Sequence, residues 1–127
     1  MKNVLISTGG TGGHVIPALS INDHLSNTCY THIVTDLRGT KFIDKKKYKY
    51  DIIETPQAPS TIIKYPIYFF LIIYSLIKSF LYLKQHKINY LISTGGYMSL
   101  PIVLAAKIFK KKIILFEPNS IIGRSNK

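Results

Sequence analysis

The chain has 127 residues, the length of one domain, and a formal net charge of +11 from 17 lysines and arginines against 6 acids. The single cysteine, Cys29, excludes an internal disulfide framework and is typical of a reducing compartment, and we expect it to be a buried small residue. The positive charge favours acidic partners such as phosphates or anionic lipid, whereas the absence of any nucleic-acid-binding signature argues against nucleic acid.

The N-terminus has the pattern of a buried strand followed by a glycine-rich turn, Leu5-Ile6-Ser7-Thr8-Gly9-Gly10-Thr11-Gly12-Gly13-His14. Its apolar start is too short for the core of a secretion signal, so we expect a cytosolic protein. Four glycines in five positions leave no Cβ to keep a ligand away from the backbone. A helix predicted from Pro17 to Leu25 would direct its free N–H groups and its positive dipole end at this turn. The sequence therefore predicts an anion-binding loop with His14 beside it.

Six of these residues recur without change at Leu91-Ile92-Ser93-Thr94-Gly95-Gly96, and Pro101 follows this second copy. Two strand–glycine–helix units in one open parallel sheet place both loops at the carboxyl edge, where α/β folds bind ligands. We therefore expect a diphosphate-bearing substrate to be held between the two loops. The alternative is that the glycine pairs only form tight turns.

Residues 30–36 alternate between polar and β-branched positions and predict a second strand that ends at Asp36. Dinucleotide-binding domains place an acid here to hold a ribose, but Val15 stands where their fingerprint requires glycine or alanine. An NAD-binding domain is therefore disfavoured. Residues 41–49 are predicted to form a short polar helix or loop, 49–54 a third strand, and 55–60 a loop with two prolines.

Residues 64–87 predict a helix that is unusually aromatic. Lys78 is the only charge between Lys64 and Lys84, and a polar stripe runs along one face: Lys64, Tyr68, Ser75, Lys78, Ser79, Tyr82 and Gln85. The helix is interpreted as a buried core helix or as an interfacial helix with lysines on anionic lipid. A transmembrane helix is disfavoured because Lys78 limits the uncharged run to 13 residues. In the interfacial case the predicted membrane contacts are Tyr65, Tyr68, Phe69, Phe70, Tyr74 and Lys78.

The last third of the chain repeats the strand–loop–helix order. Residues 90–94 predict a fourth strand, 101–109 a helix, and 112–116 an unbroken apolar fifth strand. That strand ends in Glu117-Pro118-Asn119-Ser120, at the predicted ligand edge. A carboxylate and a carboxamide at this place suit sugar hydroxyls or the orientation of an imidazole, and a helix cap is the alternative.

Taken together, these motifs resemble the N-terminal half of the MurG glycosyltransferases over essentially the whole chain. The resemblance is carried by Gly9-Gly10-Thr11-Gly12-Gly13-His14 with Pro17, by Gly95-Gly96-Tyr97-Met98-Ser99 with Pro101, by Glu117-x-Asn119, and by Gly123-x-x-Asn126-Lys127. It implies an α/β, Rossmann-like open parallel sheet of about five strands with helices on both faces, the N-terminal half of a GT-B fold. Residues 1–127 would then be a single, incomplete N-terminal domain on the acceptor and membrane side, without the C-terminal donor-binding domain.

The resemblance also implies an activity. The family transfers N-acetylglucosamine from UDP-N-acetylglucosamine to an undecaprenyl-diphosphate-linked muramyl-pentapeptide, converting lipid I to lipid II in peptidoglycan synthesis. It does so as a peripheral protein on the cytoplasmic face of the cell membrane, by direct inversion, with no tightly bound cofactor or metal. We expect this chain to be inactive alone. The alternatives are the acceptor subunit of a split transferase with a separate C-terminal half, or a non-catalytic module that binds lipid diphosphate or membrane.

The same resemblance implies the site residues. The catalytic residues would be His14, as the base or a diphosphate contact, and Glu117. Contacts to the acceptor diphosphate would come from Thr11, Gly12, Gly13, His14, Gly95, Gly96, Tyr97 and Ser99. Contacts to the donor sugar would come from Thr11, Gly12, Gly13 and Asn119. The chain departs from the family at Phe116 and Pro118, where the family commonly has histidine and glutamine.

Overall fold

The computed structural model describes residues 1–56, 59–95 and 99–116. They form a five-stranded parallel sheet in the order β3-β2-β1-β4-β5. The strands are β1 (Asn3–Ser7), β2 (Tyr30–Thr35), β3 (Asp51–Ile52), β4 (Tyr90–Ser93) and β5 (Lys112–Leu115). The helices are α1 (Gly12–Leu25), α2 (Tyr65–Gln85) and α3 (Ser99–Ile108), with 3-10 turns at Gly39–Phe42 and Ile62–Lys64. The predicted open parallel α/β sheet is confirmed.

Helices cover both faces of the sheet because its central strands alternate apolar side chains between them. On β1, Val4 and Ile6 pack towards Ala18 of α1. Leu5 packs the other way, with Leu83 of α2 and Ala105 of α3. One helix therefore covers the first face and two helices cover the second. Buried parallel strands require such cover on both sides.

The two copies of the repeated hexapeptide lie side by side in the sheet. β1 and β4 pair in parallel with Leu5 opposite Leu91, Ile6 opposite Ile92 and Ser7 opposite Ser93. The three strand residues of each copy are thus paired with their own counterparts. β1 and β4 therefore end at the same carboxyl edge of the sheet, as the repeat predicted.

Helix α1 begins five residues earlier than the sequence indicated. Thr11 precedes the helix, and its carbonyl accepts hydrogen bonds from the N–H groups of His14 (3.1 Å) and Val15 (3.1 Å). Pro17 was expected in the first turn but lies in the second. The helix tolerates it because the only partner lost is the carbonyl of Gly13, a residue exposed to water. The glycine-rich loop therefore runs directly into the first turn of α1.

The edges of the sheet also differ from the predictions. β3 has only two paired residues instead of the predicted 49–54, with Asp51 and Ile52 opposite Val34 and Thr35. Residues 43–49 are irregular after the 3-10 turn. β5 is an edge strand and is largely exposed. Cys29 is half-buried rather than buried, because it packs at the margin of the α1 core.

The polar stripe predicted on α2 exists, but its serines face the protein. Ser75 and Ser79 are buried, and the Ser75 hydroxyl donates a 2.6 Å hydrogen bond to the carbonyl of Glu54. The Ser79 hydroxyl donates to the carbonyl of Ser75 at 2.8 Å. Buried hydroxyls are tolerated because each has a partner. The interpretation as a buried core helix is wrong, since Phe70 is 78% exposed.

By length and composition alone, the helical stretch Ile62–Gln85 could cross a membrane, and no other helix in the described ranges meets both criteria. Only 17% of its most apolar 18-residue window is buried within the domain. The buried part is the serine face that packs on the sheet. That attachment makes α2 one layer of the α/β domain.

Candidate functional site

A pair of buried threonines joins the two glycine loops where they leave the sheet. The Thr94 hydroxyl donates a 2.7 Å hydrogen bond to the Thr8 hydroxyl, and both residues are fully buried. Their backbone N–H groups extend the sheet by one more bond each, from Thr8 to the Val34 carbonyl and from Thr94 to the Ser7 carbonyl. The spacing between the loops is therefore fixed by side chains as well as by strand pairing.

Both loops begin with a glycine pair, and each pair has a described glycine with a positive φ. In the first glycine pair the second member, Gly10, has a φ of +82°. In the second pair the first member, Gly95, has a φ of +99°. Both positions require glycine, because other residues adopt such angles at a cost. The two copies therefore differ in backbone conformation at their first glycine, since Gly95 but not Gly9 has a positive φ.

Asp36 holds the first loop in place. This carboxylate is buried, and its Oδ1 accepts hydrogen bonds from the backbone N–H groups of Gly10 (3.0 Å) and Gly39 (2.8 Å). Its Oδ2 accepts from Nε and Nη2 of Arg38, each at 3.3 Å. The acid at the end of β2 is thus engaged by the loop and by Arg38. The sequence predicts an acid at the end of β2, but as a possible ribose contact and not as a support for the loop.

The 3-10 turn Gly39–Phe42 packs against the first loop. A Cβ on Gly39 would collide with the Thr35 hydroxyl and would lie 3.1 Å from the Cα of Gly9. A Cβ on Gly12 would lie 3.2 Å from the Phe42 ring. The glycines therefore let this turn approach closely and brace the loop from the β2 side. Sequence reasoning missed both contacts, because nothing local links the two segments.

The first turn of α1 provides hydrogen-bond donors at this edge. Among the described residues, the backbone N–H groups of Gly12 and Gly13 have no partner, and the positive end of the helix dipole lies at the same place. Such an N-terminus attracts negative charge. Arg38 adds a partly exposed guanidinium on the β2 side of the loop, with Nη2 3.7 Å from the position of a Cβ on Gly10.

His14 lies in this first turn and is half-buried. Its Nδ1 is 3.3 Å from Oγ1 of Thr11. When Nδ1 carries the proton, Nδ1–H donates a hydrogen bond to the Thr11 hydroxyl oxygen, and the lone pair of Nε2 can take a proton from another group. The pair can therefore supply a base next to the anion-binding donors.

The structure places six of the predicted site residues at the carboxyl edge of the sheet: Thr11, Gly12, Gly13, His14, Gly95 and Ser99. Gly95 and Ser99 are buried. The other four, Gly96, Tyr97, Glu117 and Asn119, lie outside the described residues. Within the described ranges, no group of three or more His, Cys, Asp or Glu side chains is arranged to hold a metal ion.

The residues predicted to contact a membrane lie on α2 and are mostly exposed. Tyr65, Phe69, Phe70, Tyr74 and Lys78 are exposed, and Tyr68 is half-buried. The Lys78 ammonium lies 4.9 Å from the centre of the Tyr74 ring. Sequence reasoning missed four further exposed isoleucines in α2 and in the 3-10 turn before it: Ile62, Ile63, Ile67 and Ile73. These ten residues, together with Ile77, are called the α2 surface below.

Comparison with known proteins places these features in a family. The glycosyltransferase family 28 N-terminal domain matches residues 4–127. The UDP-N-acetylglucosamine–N-acetylmuramyl-(pentapeptide) pyrophosphoryl-undecaprenol N-acetylglucosamine transferase of Pelagibacter ubique is 45% identical over 126 residues, which cover 99% of this chain and 35% of the relative. The transferase of the same name from Prochlorococcus marinus (strain MIT 9515) is 34% identical over 129 residues, covering 99% and 35%.

A solved structure gives the same result. The crystal structure of Acinetobacter baumannii MurG matches with a TM-score of 0.83 and 25% sequence identity, over 99% of this chain and 38% of that one. The fold is thus that of the N-terminal, Rossmann-like half of a GT-B protein. The chain spans 35% of the length of the two curated relatives.

Proposed function

Because the chain belongs to the glycosyltransferase family 28 N-terminal domain family, we propose that it is the acceptor-binding part of a peptidoglycan glycosyltransferase. The reaction would transfer N-acetylglucosamine from UDP-N-acetylglucosamine to an undecaprenyl-diphosphate-linked muramyl-pentapeptide. Residues 1–127 would act as the N-terminal domain. Donor recognition would come from the part of the family protein that this chain does not match, on the same or a separate polypeptide.

The observation that carries this proposal is the pairing of two glycine loops at one sheet edge. Adjacent, in-register strands bring the loops together, and the Thr8–Thr94 hydrogen bond fixes their spacing. A diphosphate needs several donors converging on a small volume. The free N–H groups of Gly12 and Gly13 and the dipole of α1 meet this need on one side. Arg38 adds a cation that the sequence analysis had not assigned to the site.

His14 is proposed as the base. An acceptor sugar hydroxyl would attack the anomeric carbon of the donor sugar, and the bond from that carbon to the UDP oxygen would break. The hydroxyl proton would move to Nε2 of His14, while Thr11 holds Nδ1. The catalytic role of Glu117 and the donor-sugar contacts of Asn119, Thr11, Gly12 and Gly13 are proposed from the family resemblance alone.

The α2 surface is proposed to bind the cytoplasmic face of the membrane. Its large apolar side chains are mostly exposed, with Ile63 at 88% exposure, and Lys64 and Lys78 provide positive charge. Aromatic and aliphatic side chains with flanking lysines suit the boundary of an anionic bilayer. The inner side of α2 is bonded through Ser75 to the Glu54 carbonyl after β3 and packs on the sheet through Leu83, so the helix would lie on the membrane rather than cross it.

The proposal is tested with a chimaera in which residues 1–127 replace the matched 126 residues of the Pelagibacter ubique relative. Transfer of N-acetylglucosamine to the lipid-linked acceptor is measured for the chimaera, for the 127-residue chain alone, and for chimaeras with His14→Ala or Asn27→Ala. Asn27 is an exposed residue just beyond α1 and serves as the control.

We expect turnover from the chimaera and none from the chain alone. His14→Ala should lower kcat by about 100-fold or more, the usual contribution of a general base, and Asn27→Ala should not change it. Turnover by the 127-residue chain alone would contradict the division between acceptor and donor parts. An unchanged kcat in the His14 variant would remove the imidazole from the mechanism.

A further inference from the structure

A basic pocket lies at the amino edge of the sheet, opposite to the edge that carries the glycine loops. It opens where α2 and α3 end and the chain turns into β4 and β5, and its volume is about 450 Å³. Three lysines, one asparagine and two apolar side chains line it: Lys84, Lys87, Lys111, Asn89, Leu83 and Phe109. None of these lining residues is an acid. This feature is called the amino-edge pocket.

The three ammonium groups of the pocket come from three separate segments. Lys84 lies in the last turn of α2, Lys87 in the turn before β4, and Lys111 directly before β5. Lys84 and Lys87 are exposed, and Lys111 is half-buried. Within the described ranges, none of these ammonium groups has a hydrogen bond or an ion pair. Like charges around one cavity repel each other, and a bound anion would remove this repulsion.

The helix ends do not need these lysines as caps. Lysines near a helix C-terminus often bind the last carbonyls. Here the backbone N–H of Ile88 donates to the Leu83 carbonyl at 3.1 Å, and that of Lys111 donates to the Ala106 carbonyl at 2.9 Å. Lys87 has a φ of +52°, at a capping position where glycine is usual. A lysine therefore stands where backbone geometry favours glycine, and its ammonium group is free to bind a ligand.

The uncharged residues of the pocket add a donor and an aromatic wall. Oδ1 of Asn89 accepts a 2.9 Å hydrogen bond from the backbone N–H of Asn3. This bond fixes the side-chain amide, whose NH2 group has no partner among the described residues. Phe109 is 42% exposed, and its ring packs edge-on against Phe80 with 4.9 Å between the ring centres. The pocket thus combines three cations and a neutral donor with an apolar side.

We propose that the amino-edge pocket binds a phosphate group, carried either by free phosphate or by the headgroup of an anionic phospholipid. A phosphate offers several acceptor oxygens on a small anion, and lysine ammonium groups are common partners for it. Lys84 follows Phe70 by about four turns of α2, so it lies on the same side of the helix as that part of the α2 surface. A headgroup in the pocket would therefore lie beside a membrane-bound α2.

The amino-edge pocket is independent of the proposed transfer reaction, because the residues of that reaction lie at the other edge of the sheet. The test is a titration of the ¹⁵N-labelled chain with inorganic phosphate and, separately, with dihexanoyl phosphatidylglycerol below its micelle concentration. Monomeric lipid avoids the general attraction of a basic protein to a charged vesicle. In ¹H–¹⁵N spectra the side-chain amide of Asn89 reports on the pocket. The backbone amides of Gly12 and Gly13 report on the first glycine loop.

We expect saturable shifts of the Asn89 amide with at least one of the two probes. A triple variant that neutralises the pocket should weaken this binding by about tenfold or more, the usual effect of losing even one hydrogen bond to a charged group. Its changes are Lys84→Gln, Lys87→Gln and Lys111→Gln. A matched variant with three exposed lysines changed elsewhere, Lys45→Gln, Lys46→Gln and Lys49→Gln, should bind nearly as the wild type does. Cooperative thermal unfolding establishes that each variant is folded.

Shifts with inorganic phosphate alone would identify a site for a soluble phosphate, and shifts with the lipid would identify a headgroup site. The absence of Asn89 shifts with both probes would overturn the proposal, as would equal weakening in the two triple variants. Shifts at Gly12 and Gly13 without a shift at Asn89 would also overturn it, while leaving the anion-binding loop of the proposed function intact.

Discussion

In the described part of the domain, the α2 surface and an apolar groove beside β5 differ in what their backbone groups require. The α2 surface is a convex helix side, whose N–H and C=O groups are already bonded within the helix. The groove between α1 and β5, called the α1–β5 groove, is lined by Ile21, Leu25, Ile92, Ile114 and Phe116 and is concave. It lies beside β5, which pairs only with β4 among the described residues. Lipid can cover the α2 surface without leaving backbone groups unpaired. It cannot do so at the β5 edge, because hydrocarbon neither donates nor accepts hydrogen bonds. The state of the backbone thus distinguishes a membrane surface from a protein interface more clearly than the amount of exposed apolar area.

The largest expected effect separates the two surfaces directly. Ile63→Asp with Phe70→Asp should weaken binding to phosphatidylglycerol vesicles by about 100-fold or more, since each large apolar side chain contributes about 1.5 kcal/mol or more when buried. Ile114→Asp with Phe116→Asp, the matched double change in the groove, should leave vesicle binding nearly unchanged. Cosedimentation measures both. Equal losses in the two variants would mean that the surfaces do not differ as proposed.

The second prediction concerns the attachment that turns α2 outward. Ser75→Val removes the hydroxyl that bonds to the Glu54 carbonyl and leaves that carbonyl without this donor. We expect the free energy of unfolding to fall by about 1–3 kcal/mol. Ser60→Ala, at an exposed position before α2, is the control. Urea denaturation measures the change, and a loss no larger than that of the control would contradict the anchoring role.

A third, smaller effect is expected at the sheet edge between the two surfaces. Thr8→Val and Thr94→Val each keep the side-chain shape and remove one hydroxyl of the bridge. Each should cost about 1 kcal/mol of stability. Once either partner is absent the second change should cost less, and a double-mutant cycle measures this coupling. Strictly additive losses would show that the hydroxyls do not stabilise each other.

The smallest effect is a dependence on pH beneath the C-terminal end of α2. His32 packs 4.8 Å from His86, measured between ring centres, and its Nε2 is buried without a partner among the described residues. Burial, and secondly the His86 charge, lower the pKa of His32, while Asp51 opposes this shift. Tyr82 also faces His86, and burial together with its bond to Asp51 raises the pKa of Tyr82.

Because the folded pKa of His32 lies below its unfolded value of about 6.5, the unfolded chain binds more protons on acidification. Stability should therefore be complete above that value and should fall as the pH drops through it. One proton limits the slope to about 1.4 kcal/mol per pH unit. His32→Phe should flatten the decline between pH 7 and 5 in thermal melts, whereas His24→Ala, at an exposed position, should not. Parallel declines in the wild type and the His32 variant would contradict this origin.

Much of this organisation could be predicted from local pattern. The repeated hexapeptide predicted two strands and two loops at one edge, since a strand and its glycine turn are encoded within a few residues. The start of α1 could not be predicted from Pro17, because a carbonyl at Thr11 and an exposed Gly13 decide where that helix begins. The short β3 depends on pairing with β2, which no local pattern encodes.

The candidate site could be predicted only in part, because some of its contacts join segments that are distant in sequence. His14 and the glycines follow one another in sequence, but the support from Asp36, Gly39 and Phe42 arises when β2 is placed beside β1. The orientation of α2 could not be predicted from the sequence either, because serine side chains can face water or can be buried against a backbone carbonyl. Only the Glu54 carbonyl decides between them.

The duplicated hexapeptide allows incorrect strand pairing during folding. Two interchangeable strands, 86 positions apart, both belong at the centre of the sheet, so β2 could pair with the wrong copy and trap the chain in a topological isomer. The short α1 connection brings β2 to the first copy at a smaller loop-closure cost than a partner more than fifty residues away. Sequence proximity therefore breaks the symmetry, and shortening or lengthening the β1–β2 connection should change refolding yield before it changes the final structure.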